Sequence, residues 1–312
     1  MTELLLRLFV KNYKDTDSPA VHSAIGKMSG IIGIICNILL FCCKFAVGFI
    51  AGSASIMADA VNNFLDASSS VVTLLGFHMA QRPADQGHPY GHARYEYLAG
   101  LVVAGIILIS GGDQARTAVE RIIHPSSTHL TAAAFIVLAV SIGVKLWMCL
   151  FFRNLGKRTG STSLLATSVD SRNDVITSAS VLLGCVIEYR FHINIDGYVA
   201  LAVALFILYS GIKLTGETVS PLLGKQADDA LIEQITQLVL SHEKVLGIHD
   251  LLIHDYGPGQ CYASVHAEIS AEESPIDAHE IIDHIEKETL ERMNIHLVIH
   301  FDPVIIDQSE QT

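Results

Sequence analysis

Six apolar stretches, at 30–50, 54–77, 97–118, 132–152, 164–186 and 193–215, leave this chain little choice of fold. A helix needs about 20 such residues to cross the hydrocarbon core of a bilayer. In lipid only helices and closed barrels satisfy their own backbone groups. A soluble helical bundle would need a polar face along each stretch, and these have none. Only 17% of the 312 residues are charged, against roughly a quarter in soluble domains, and most of that charge lies outside the six blocks. The expected organisation is a cytoplasmic or interfacial segment over 1–29, a six-helix transmembrane domain over 30–218 and a cytoplasmic domain over 219–312.

The flanks orient the spans. Residues after Leu6 are too charged for a secretory signal, so the N-terminus reads as a short amphipathic segment at the interface. Arg7, Lys11, Lys14, Lys27, Arg82, Arg94, Arg153, Lys157, Arg158 and Lys225 fall on one side of the spans. Arg116, Arg121 and Arg190 fall on the other. The excess puts both termini in the cytoplasm of a multi-pass protein of the plasma or inner membrane. The six cysteines are scattered without a CxxC pair and read as small buried hydrophobes. A net charge of −12 argues against a nucleic-acid partner.

Two i,i+4 pairs of oxygen-bearing side chains interrupt this apolar setting: Asn62 with Asp66, and Asp170 with Asp174. A spacing of four puts each pair on one helical face, one turn apart. With the termini inside, each pair lies about half-way along its span, so the two meet near the bilayer midplane. Ionisable groups there mark an ion or substrate pathway. An all-oxygen cage with up to three negative charges suits a hard divalent cation. Asp59 sits three residues before Asn62, at the edge of the cage or its outer entrance. Ser168, Ser171 and Asn173 read as packing or supporting groups, and Lys44, Asp113 and Arg116 as charges that snorkel from helix ends.

Histidines recur outside the spans. The loop sequence RPADQGHPYGHARYE sets Asp85, His88 and His92 in a D-x-x-H-x-x-x-H pattern, a donor set for a borderline divalent ion. Beyond Lys225 the periodicity predicts helix 228–241, strands 245–254 and 260–269, helix 275–293 and strand 295–301. That αββαβ order implies a small α+β sandwich with helices on one sheet face and the other left for self-association. His249, His266, His279, His300 and Asp302 are its candidate ligands.

Taken together, SASIMADAVNNFLDASSS, ADQGHPYGHARYE and SVDSRNDVITS, on six spans followed by this tail, resemble the cation diffusion facilitators. The resemblance covers nearly the whole chain after Gly26. It implies a homodimeric, proton-coupled exporter of divalent metal, close in architecture to the bacterial ferrous-iron-efflux type. Zinc-selective members carry one or two histidines at the positions of Asn62, Asp66, Asp170 and Asp174, whereas this set resembles the manganese branch. Asp85, His88 and His92 match the family's loop site, and His249, His266 and Asp302 match one tail site. His279 and His300 match a second, where Phe301 replaces the remaining ligand. Arg94 matches the basic member of an interdomain charge pair, but Gly224 stands at the acidic position.

The expected activity is Mn²⁺ export by proton antiport through alternating access, with Zn²⁺, Fe²⁺, Co²⁺ and Cd²⁺ as alternative cargo and no cofactor. Three carboxylates cannot all keep their charge once the cation leaves, so protons replace it. A cation channel and a membrane-anchored metal sensor are the competing classes. No nucleophile–base motif points to an enzyme.

Overall fold

The computed structural model describes residues 2–10, 13, 18–51, 54–124, 132–191 and 196–305. They fall into two compact units: one runs up to Arg82 and from Arg94 to Ser220, the other comprises Pro83–Ala93 and the chain from Pro221 onward.

The first unit is helical. A short helix α1 (Thr2–Phe9) precedes six long ones: α2 (Pro19–Ala51), α3 (Ala54–Ala80), α4 (Tyr95–Ile123), α5 (Ala132–Thr159), α6 (Thr162–Phe191) and α7 (Asp196–Leu222). Among the described residues, α2, α4, α5 and α7 contain stretches long and apolar enough to cross a membrane. Among the described residues no such stretch is found in α3 and α6, which carry the acidic pairs. Polarity is inverted relative to a soluble bundle. Ile35, Leu39 and Phe49 of α2, Ile136 and Val140 of α5, and Tyr209 and Ile212 of α7 are exposed. Ser69, Ser70, Thr73, Thr167, Ser168, Ser171 and Asn173 are buried on α3 and α6. Such a bundle is stable only where its outside faces lipid.

Small residues let the helices close on one another. A Cβ at Gly26 would overlap the Phe77 ring, and one at Gly30 would lie 3.2 Å from the Leu74 Cα. α2 therefore packs on α3 almost backbone to backbone, the small-residue packing typical of membrane helices. At one end of these helices Leu6 of α1 is fully buried with Ile25, Phe77, Phe151, Phe152 and Leu155. This cluster anchors α1 to α2, α3 and α5.

The second unit holds α8 (Asp229–Leu240), β1 (Val245–Asp255), β2 (Cys261–Ser270), α9 (Pro275–Met293) and β3 (Ile295–Val304), the predicted αββαβ order. The sheet order is β1-β2-β3, with β1 antiparallel and β3 parallel to β2. Local signals set α9. Ser274 Oγ caps Asp277 N, Pro275 opens the first turn, and Asn294 ends the helix at φ 54°. Ile235, Val239, Val265, Ala267, Ile285, Leu297 and Ile299 form the core between α8, α9 and one sheet face. Loop 83–93 packs here too: Tyr90 stacks on Tyr256 at 4.3 Å and meets Tyr262 edge-on at 5.0 Å. Gly257, at φ 112°, presses on the Ala93 backbone, where a Cβ would come within 2.5 Å.

Two expectations need correction. Lys44 does not snorkel: it is 3% exposed, inside α2 and within electrostatic reach of Asp66. Cys42 and Cys43 are exposed on α2 rather than buried. An apolar environment on the outside of a membrane helix makes exposure as comfortable for a thiol as burial.

Candidate metal centre

Asp66 on α3 and Asp174 on α6 are brought together by a residue from a third helix. Lys145, on α5, places its Nζ 2.8 Å from Asp66 Oδ2 and 2.6 Å from Asp174 Oδ2. Lys145 is 4% exposed, so its ammonium is almost wholly desolvated and depends on these two carboxylates. Asp170, one turn before Asp174, instead accepts a 2.8 Å hydrogen bond from Ser69 Oγ. Next to this centre the hydroxyls of Thr73 and Thr167 meet at 2.9 Å, joining α3 to α6. Asn37 of α2 reaches the Asp66 carbonyl at 3.4 Å.

Of the four residues expected to form the cage, three carboxylates thus lie in one polar centre. The side chain of Asn62, and that of Asp59, lie outside the described residues. The helix still sets position 62 one turn before Asp66 on the same face of α3. Buried Asn37 Oδ1, Asn63 Nδ2, Ser70 Oγ and Asn173 Nδ2 have no protein partner. Buried polar atoms of this kind are paired with water or ions.

Lys145 escaped the sequence reading, although its signal was present. It is the one basic residue in the block 132–152, and an intramembrane charge is a functional residue by default. Its placement changes the electrostatics from three uncompensated negative charges to three with a tethered cation among them. The ammonium sits between Asp66 Oδ2 and Asp174 Oδ2. Arg172 was missed as well: it donates to Ser210 Oγ at 2.9 Å and lies over the Phe206 ring at 5.3 Å, tying α6 to α7.

The loop ligands also meet. His88 Nδ1 is 3.4 Å from Asp85 Oδ1, and His92 Nε2 is 3.5 Å from Asp85 Oδ2. Asp85 and His88 are exposed while His92 is buried. The backbone N–H groups of His88 and Gly87 bond Asp85 Oδ1 and hold its carboxyl below the usual carboxylate range. His92 Nδ1 lies 3.1 Å from the Pro83 carbonyl. A carbonyl accepts only, so Nδ1 carries the proton and Nε2 turns its lone pair toward Asp85.

On the outer sheet face, His249, His266 and His300 form a row across β1, β2 and β3, with rings 5.0 and 4.6 Å apart. Strand alternation puts them on one face, away from Val265 and Ala267. His249 Nε2 and His266 Nδ1 each lie 3.0 Å from Asp302 Oδ2. This donor set fits a borderline divalent ion. His266 bonding holds Asp302 below its ordinary range, and Asp250 raises His249, so a metal there competes with protons. His300 is 3.5 Å from Asp302 Oδ1 and thus joins this cluster. His279 lies on α9, across the sheet, and among the described residues joins no group of three converging ligands.

Residues 30–223 match the model of the cation efflux transmembrane domain, and residues 227–304 match that of the cation efflux protein cytoplasmic domain. An uncharacterized transporter of Methanocaldococcus jannaschii is 29% identical over 275 residues, covering 86% of this chain and 96% of its own. The cation-efflux pump FieF of Escherichia fergusonii is 28% identical over 266 residues, 85% of this chain and 88% of its own. FieF of Salmonella typhi is 28% identical over 261 residues, 83% of this chain and 87% of its own.

Proposed function

The chain belongs to the cation efflux family, and from that premise we propose that it exports Mn²⁺ in exchange for protons through a site built by Asn62, Asp66, Asp170 and Asp174. Divalent-cation efflux across a membrane, rather than enzymatic catalysis, is the family's activity. The carrying observation is the convergence of three carboxylates from α3 and α6 on one polar centre with Lys145. Among the described residues no imidazole contributes to it, and oxygen donors suit Mn²⁺ better than zinc. Raw affinity still favours zinc in the Irving–Williams order, so geometry and ligand number must discriminate. A six-coordinate Mn²⁺ completed by water meets that demand better than tetrahedral zinc.

Lys145 gives the exchange a physical route. An incoming divalent ion displaces the ammonium from between Asp66 and Asp174. When the ion leaves outward, the ammonium returns and protons on the carboxylates make up the remaining charge. Deprotonation toward the cytoplasm rebuilds the site, so inward proton flow drives metal outward by alternating access. In this reading the protein is a secondary active transporter of the plasma or inner membrane, with both termini cytoplasmic. Residues 1–29 form an interfacial segment, 30–218 the transport domain and 219–312 the domain that joins two copies in a homodimer.

Selectivity is the direct test. Vesicles reconstituted with the protein are expected to move Mn²⁺ in a panel with Zn²⁺, Fe²⁺, Co²⁺ and Cd²⁺. Asn62→His, which adds a nitrogen donor, is expected to shift transport toward Zn²⁺. Wild-type vesicles that move Zn²⁺ at saturation and ignore Mn²⁺ would reject the manganese reading and favour a zinc exporter of the same family.

Asp85, His88 and His92 act off this path, as a cytoplasmic site that supports the fold or the dimer. His88→Ala with His92→Ala is therefore expected to lower transport or dimer integrity less than Asp170→Ala does. If the double variant is as inactive as Asp170→Ala at equal expression, the loop takes part in the transport step itself.

A further inference from the structure

A third convergence of metal-binding atoms lies on the opposite side of the cytoplasmic domain from the histidine row. His242 follows the end of α8, while His284 and Glu288 stand one turn apart on α9. The nitrogen and carboxylate atoms that these three offer lie within 4.8 Å of one another. His242 and His284 rings meet edge-on at 5.6 Å. His242 Nε2 lies 3.1 Å from Glu288 Oε2.

The protons decide what this geometry needs. His242 Nδ1 is 3.1 Å from the Leu238 carbonyl oxygen, which can only accept, so Nδ1 carries the hydrogen. In the neutral ring the Nε2 lone pair then faces a carboxylate oxygen. Two acceptors at that distance, with both side chains only 18% exposed, repel unless a positive centre stands between them. Arg292 cannot be that centre. Its Nη2 bonds the other oxygen, Glu288 Oε1, at 2.6 Å, and so turns Oε2 toward His242. Lys244 is held by Glu273 at 2.9 Å. Exposed His284 brings a third donor, and a depression of about 350 Å³ lined by His242, Asp277, Glu280 and His284 opens the position to solvent.

We propose that His242, His284 and Glu288 form a separate divalent-metal site, suited to Zn²⁺, that clasps the end of α8 to α9. Two imidazoles and a carboxylate are a zinc donor set, with water as the fourth ligand. A tetrahedral ion with bonds of about 2.1 Å holds its donors roughly 3.4 Å apart. The 3.1 Å His242–Glu288 pair opens slightly and the exposed His284 ring swings in to complete the site. The Leu238 carbonyl and Arg292 supply the outer bonds that orient the ligands. The spacing of His284 and Glu288 lets α9 chelate from one face. The site is independent of which ion crosses the membrane.

Metal content tests it. Full-length protein in detergent, equilibrated against buffered free Zn²⁺, is analysed for zinc per protomer, and Co²⁺-loaded protein for its visible ligand-field absorption. His284→Ala is expected to remove about one zinc per protomer and part of the Co²⁺ absorption, in the wild-type background and with His249→Ala and His266→Ala present. His242→Ala is expected to do the same. His284 is exposed, so its alanine variant folds and decides the matter even if His242→Ala does not. Unchanged zinc and Co²⁺ spectra in His284→Ala overturn the proposal and assign the positive centre to a proton on His242.

Discussion

Asp66→Ala, Asp170→Ala and Asp174→Ala are each expected to abolish metal transport while the protein remains a folded assembly. Each removes one charged oxygen donor from the proposed transport site. Asp170→Ala is the cleanest, because Asp170 is bonded by Ser69 and not by Lys145. Asp66→Ala or Asp174→Ala also takes away half of the partners of a buried ammonium. Breaking a buried ion pair costs about 3–5 kcal/mol, so elution volume and thermal melting accompany those two flux measurements. Vesicle flux within about twofold of wild type for any two of the three would remove these residues from the transport step.

Lys145→Met is expected to separate binding from turnover. If the ammonium competes with the cargo for Asp66 and Asp174, its loss tightens metal binding by at least about tenfold, or about 1.4 kcal/mol. Turnover falls at the same time, because the emptied site has lost its built-in replacement charge. Lys145→Arg keeps the charge but not its compact shape, and falls between. Metal titration of the purified protein and vesicle flux on the same preparation give the two readings. Unchanged metal affinity in a folded Lys145→Met would restrict Lys145 to a packing role.

The spans and the αββαβ tail were legible because periodicity and apolarity act locally. The acidic pairs were legible for the opposite reason: they violate the local rule. The carboxylates lie on α3 and α6, where among the described residues no stretch is long and apolar enough to cross a membrane, and they lower the hydropathy of both helices. Lys145 was lost inside a strongly apolar block, where a single charge barely disturbs the average. Its partners lie 79 and 29 residues away, and no spacing rule connects them. His242 was hidden similarly, since its partners stand on α9, across a strand hairpin. The histidine row shows the converse. His249, His266 and His300 were candidates by strand alternation, yet only the register decided that His300 joins the first two and that His279 faces elsewhere.

The packing of loop 83–93 against the β1–β2 hairpin bears on how this protein can be cut. The second unit is drawn from two parts of the chain, 83–93 and the residues from Pro221 onward. Its Tyr90 is supplied from between α3 and α4, and Tyr256, Tyr262 and Gly257 close around that insertion. A fragment beginning at Pro221 would bare an aromatic surface that is covered in the intact chain. A deletion after Ser220 would leave Tyr90 and the Asp85, His88 and His92 cluster without their seat. The gene can be severed at one point, but the unit is woven into the membrane segment twice.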